Sequence, residues 1–127
     1  MQRTIWIMVV LGLALAGCHP AAIGQPDLVV TMINSPVPPV VGPATATVFI
    51  RSTDGQPMHG AAVLLEGSSI DPRVSPIQAR ASEMAPGVYR AHVVWPRAGS
   101  WFVVVYITFA NGQTLMRQVE LPYVQAH

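Results

Sequence analysis

The sequence predicts an all-β domain, a sandwich of about seven strands, and three observations carry that reading. From Asp27 onward no stretch keeps apolar residues at helical spacing for the roughly 10 to 12 residues that a helix needs. The 12 Pro and 10 Gly are scattered over the whole length and interrupt the chain too often for long elements. Between them lie short β-branched and aromatic runs, several alternating apolar and polar residues with the period of two of a half-buried strand.

Taken in order, residues 27 to 33 form a first strand. Ser35, Pro36, Pro38 and Pro39 then block ladder pairing and force an exposed crossover. Residues 44 to 52 alternate, with Ala46, Val48 and Ile50 on one face and Thr45, Thr47 and Phe49 on the other; Asp54 and Gly55 turn the chain. A third strand is expected over 61 to 66, followed by a polar loop from Gly67 to Pro76. A weaker fourth strand runs over 77 to 83, with Met84, Pro86 and Gly87 in the turn that ends it. Residues 88 to 95 alternate again, placing Tyr89, Ala91, Val93 and Trp95 on the inner face and Val88, Arg90, His92 and Val94 on the outer. After a turn from Pro96 to Gly99, residues 101 to 109 are apolar on both faces, as in a central sandwich strand or one beneath a covering loop. Asn111 and Gly112 are the strongest hairpin signal, predicting a type I′ turn, and residues 114 to 121 form the last strand.

Seven strands with turn signals every 8 to 12 residues or so describe an immunoglobulin-like β-sandwich, one domain over residues 27 to 124. The single cysteine, Cys18, excludes an intramolecular disulfide, so Tyr89, Trp95, Trp101 and Phe109 are the expected core anchors.

Composition limits what such a domain can do. Charged residues make up 10% of the chain, against about 25% in an average soluble domain. All seven basic residues are arginines, balanced by six acids to a formal net charge of +1, which excludes the dense positive stripe of a nucleic-acid-binding protein.

The N-terminus accounts for part of the charge deficit. Arg3 precedes an apolar run from Ile5 to Ala16, too short for the roughly 20 residues of a spanning helix but matched to a secretory signal. Leu15, Ala16, Gly17 and Cys18 resemble the bacterial lipoprotein signal, or lipobox. That resemblance implies a signal peptide over residues 1 to 17, cleavage between Gly17 and Cys18, and acylation of Cys18 on its sulfur and its new amino group. Two or three acyl chains anchor stably where one is marginal. The expected location is therefore the cell membrane or outer membrane, with the domain on the extracytoplasmic side and the bilayer as first partner. His19 is not the aspartate that retains lipoproteins at the inner membrane in enteric-type bacteria, which favours the outer one where two exist. Residues 18 to 26 are the lipidated cysteine and its tether; each residue reaches at most about 3.3 to 3.6 Å, so the domain works close to the membrane.

Three stretches of the domain resemble the YtkA-like family, related to FixH-type proteins. They are Pro39 through Gly42 to Pro43; Asp54, Gly55 and Pro57 with Gly60, Ala61 and Val63; and Gly87 and Tyr89 with Trp95, Pro96, Gly99 and Trp101. The resemblance implies a small extracytoplasmic sandwich, and its motifs are turn glycines and core aromatics. Some relatives carry a Met or His cluster in the loop after the third strand, where residues 67 to 76 here have none.

Copper(I) selects thioether and imidazole ligands, which leaves Met58, His59 and His92 as candidate metal ligands. Met58 and His59 are neighbours and can share an ion only through a turn. Ser68, Ser69, Asp71 and His59 carry no sign of convergence into a catalytic triad, and the six carboxylates are dispersed, so the chain does not read as an enzyme. The expectation is a membrane-anchored lipoprotein whose sandwich is a binding or assembly module, with a membrane protein complex as a further partner. The alternatives are a copper-handling protein serving a membrane oxidase or exporter, and a structural envelope component. Binding is expected at the loops from Asp54 to Gly60 and Gly67 to Pro76, since scaffolds of this kind present ligands on loops.

Overall fold

The structure, a computed structural model, describes residues 27–127; Gly17, Cys18 and the rest of the expected signal and tether lie outside the described residues. Seven strands follow one another: β1 (Leu28–Ser35), β2 (Gly42–Ser52), β3 (Ala62–Ser69), β4 (Ile77–Ala85), β5 (Val88–Trp95), β6 (Trp101–Thr108) and β7 (Thr114–Val119). The fold is all-β as expected. Every pairing between these strands is antiparallel, in the order β1-β2-β5-β4-β3-β6-β7. β4 joins the two layers, because Ile77 to Ala81 lie in the stretch that pairs with β3 while Ser82 to Ala85 turn to β5. With the strands lettered A to G, this is the ABED and CFG division of a constant-type immunoglobulin sandwich, closed along one side by β4. On the other side β1 and β7 approach across a seam without pairing.

Period-two alternation places the core. β2 buries Ala44, Ala46, Val48 and Ile50, β5 buries Tyr89, Ala91, Val93 and Trp95, and β6 buries Trp101, Val103, Val105 and Ile107. Each large side chain contributes about 1.5 to 3 kcal/mol. The indoles of Trp95 and Trp101 pack across the core with centroids 5.5 Å apart and planes inclined at 57°. Trp95 Nε1 donates to Asn34 Oδ1 at 3.1 Å, and Asn34 Nδ2 donates to the Pro36 carbonyl at 3.1 Å. Trp101 opens β6 and donates from Nε1 to the Arg97 carbonyl at 3.0 Å, the backward bond that a corner tyrosine makes in other immunoglobulin domains. Phe109 is half-buried just beyond β6 and packs on the rim of the core.

The chain departs from expectation in three places, each with a local cause. Gly67 belongs to β3, which continues to Ser69; it faces inward, and a Cβ there would stand 3.1 Å from both Ile77 Cγ1 and Trp95 Cζ3, so its bareness admits the indole. Met84 is not in a turn but is an extra residue in β4, at a bulge that shifts the register against β5. Asn111 has no positive φ; Gly112 N donates to the Phe109 carbonyl at 2.9 Å and Gly112 takes φ 86°, the pattern of a type I turn followed by a glycine bulge. Beyond β7 the tail docks through Val124 paired with Gly99 and Gln125 with Val40. β6 is the central strand that its two apolar faces predict, flanked by β3 and β7, with Phe102 48% exposed on its outer face.

Candidate functional site

The first candidate loop, Asp54 to Gly60, is held from below by β4 and β5. Ser52 opens it: its hydroxyl donates to Asp54, and its backbone N–H donates to the Gln56 carbonyl at 2.8 Å. Met58 N donates to the Ile50 carbonyl at 2.9 Å, and Ile50 N to the Gly87 carbonyl at 2.9 Å. The Tyr89 hydroxyl donates to the Met58 carbonyl at 2.6 Å and accepts from Ala61 N at 3.2 Å. Glu83 gathers the rest, accepting from Gly60 N and Gly87 N, each at 3.2 Å, and facing His59 Nδ1 at 2.8 Å. Burial pushes the Glu83 carboxyl up, but these amides, together with His59 and Tyr89, outweigh it and hold it below the usual glutamate value. Burial likewise raises Tyr89, with Glu83 reinforcing it and the Ala61 amide opposing. The polar groups of this cluster serve one another.

The three residues selected as metal ligands divide between two places. Met58 is half-buried against the core, and His59 beside it is exposed. His92 lies on the outer face of β5, opposite Thr45. Thr45 stands five residues along β2 from Ile50, where Met58 docks, so His92 is roughly 17 Å away by strand rise. Among the described residues no three His, Cys, Asp or Glu side chains cluster.

The second candidate loop is shorter than expected, Ile70 to Pro76, and lies at the other end of the sandwich. Its Asp71 is held down by hydrogen bonds from Arg73, whose Nε and Nη2 donate at 3.0 and 2.9 Å. Ile70, 66% exposed, leads from this loop into a groove of about 660 Å³ that the sequence did not indicate. The groove exists because β6 and β7 splay: their pairing stops at Val103 and Val119, and residues 120 to 123 leave β6 to bridge Gly99 through Val124. Pro122 lies in this segment and brings no amide to β6. Trp101, Phe102, Val119 and Leu121 give it apolar walls, and Met32 reaches it from the opposite sheet. Ser100, Gln118 and Glu120 supply its polar groups. An apolar cleft in the size range of small-molecule sites, with a few convergent polar groups, is the usual form of a binding site. Along the seam it continues into a second hollow of about 340 Å³, lined by Val30, Thr31, Met32, Gln118, Val119 and Glu120.

The chain matches no protein-family model, no curated protein and no solved structure. The motif resemblance therefore rests on the residues that carry it. No helix among the described residues is long and apolar enough to cross a membrane.

Proposed function

We propose that this protein is an extracytoplasmic lipoprotein, anchored through acylated Cys18, whose sandwich binds an apolar ligand in the groove between β6 and β7. The groove is the observation that carries the reading. It joins an apolar lining to one carboxylate, Glu120, which favours a ligand with an apolar body and a cationic end. The YtkA-like resemblance belongs to the same reading, supported by the burial of Tyr89 and Trp101 in the sandwich.

Strand direction supports a particular orientation. β1 starts beside Ser52, at the same end as the loop from Asp54 to Gly60, whereas Ser100, Ile70 and Pro122 stand at the opposite end. A tether entering at Leu28 would turn the Glu83 cluster toward the lipid and the groove away from it. The eight residues of β1 span about 27 Å, which is the height of that separation.

The test is amide chemical-shift mapping of the lipid-anchored protein in nanodiscs against a set of small apolar amines. Shifts confined to Ser100, Phe102, Glu120 and the Trp101 indole are expected. Shifts elsewhere, or none at millimolar amine, would overturn the reading.

A further inference from the structure

We infer that the partner of this groove is an extended peptide strand that adds to the free edge of β1 and places its inward side chains in the seam. The inference rests on the binding-module reading and deepens it. Strands at the edge of a sheet present unpaired N–H and C=O groups, and natural proteins protect them with charges, proline or bulges. The two edges beside the seam differ in that respect. β7 contains Arg117 and is followed by Glu120 and Pro122. β1 reads Leu, Val, Val, Thr, Met, Ile, Asn, Ser, with no charge, no proline and no glycine, and pairs without a bulge along its whole length with β2. Its outer face exposes Ile33 at 56%.

Beside that bare edge lies the hollow that a strand would need. Val30 and Met32 point toward the core but stay half-buried, because β7 approaches without closing over them. An added strand directs every second side chain into such a space, so backbone bonds supply affinity and the pockets supply selectivity. Glu120 is the single charge lining the seam and its groove, which selects a basic residue near one end of the strand. A second copy is the less suitable occupant. Antiparallel pairing of two β1 edges sets the copies side by side with opposite strand directions, so their tethers leave at opposite ends, which does not suit the proposed anchorage of both in one bilayer.

The experiment uses the full chain, lipid-anchored in nanodiscs, and selects from a displayed library of linear peptides about as long as β1. Selected peptides should alternate apolar residues, carry a Lys or Arg near one end, and slow about tenfold the exchange of those alternate amides of residues 28 to 35 whose N–H faces the free edge rather than β2. Proline at the centre of a selected peptide should weaken binding about tenfold, a control independent of the protein's own folding. Met32→Lys, which puts an edge-protecting charge into the seam, should weaken binding about as much while far-UV circular dichroism stays unchanged. Selected peptides that tolerate proline throughout, or that protect other segments, would overturn the inference. So would protection of β1 that grows with protein concentration alone, since a second copy would then be the occupant. Groove shifts with small amines but no peptide selected would leave the binding module standing and remove the strand.

Discussion

Substituting Gly87 by alanine tests the link between the two turns that build the Glu83 end of the sandwich. Gly87 has φ 74°, and a Cβ there would meet the Ile50 carbonyl oxygen at 2.7 Å and Pro57 Cβ at 2.8 Å. The first obstacle is the backbone of β2 near its end, and the second lies in the ring of a proline, so neither rotates away. A left-handed conformation costs an L-residue about 1 to 2 kcal/mol, and overpacking a further 1 to 3 kcal/mol, giving roughly 2 to 5 kcal/mol. At about 4 to 8 °C per kcal/mol for a domain near this size, Tm should fall by at least about 8 °C. Gly112→Ala is the matched control: φ is 86°, yet nothing lies within 4 Å of its Cβ, so only the conformational part should remain. Thermal unfolding of both variants, followed by tryptophan fluorescence, isolates the steric part. Equal losses in Gly87→Ala and Gly112→Ala would refute the close approach of the β4–β5 turn to Ile50 and Pro57.

Further outcomes follow from the same packing. Trp95→Phe strands Asn34 Oδ1 in a core where no buried side-chain nitrogen or oxygen among the described residues lacks a partner, and should cost about 1 to 3 kcal/mol in denaturant unfolding. Gly67→Ala should destabilise by about 1 to 3 kcal/mol, because Ile77 can give way but Trp95 is fixed by Asn34 and Trp101; an unchanged midpoint would contradict this. Glu83 has a lowered value in the folded state, so its contribution is complete above the ordinary 4.5 and is lost as pH falls through that lowered value. The amide shifts of Gly60 and Gly87 should titrate together in that acid range, and Glu83→Gln should abolish the titration.

The strands were legible wherever alternation was clean. In β2 and β5 the inner residues Ala46, Val48, Ile50, Tyr89, Ala91, Val93 and Trp95 follow directly from period two. What the sequence concealed depends on partners distant in the chain. Gly67 reads as a loop residue until Trp95 is packed against it, and Met84 reads as a turn until β5 fixes the bulge. The Asn-Gly pair signals a hairpin but not which turn closes it. The groove was hidden for the same reason: Ile70, Phe102, Met32 and Leu121 come from four segments and meet only because β7 leaves β6. One signal was present in the sequence, the two-faced apolar pattern of residues 101 to 109, which marks a surface with more to cover than the domain supplies.

The proposed anchorage at Cys18 underlies the orientation and the choice of occupant for β1, and intact mass of the membrane-extracted protein tests that anchorage most directly. The expected mass lacks residues 1 to 17 and carries acyl chains on Cys18, a form that Cys18→Ala abolishes. A full-length mass with a free Cys18 thiol would contradict the account.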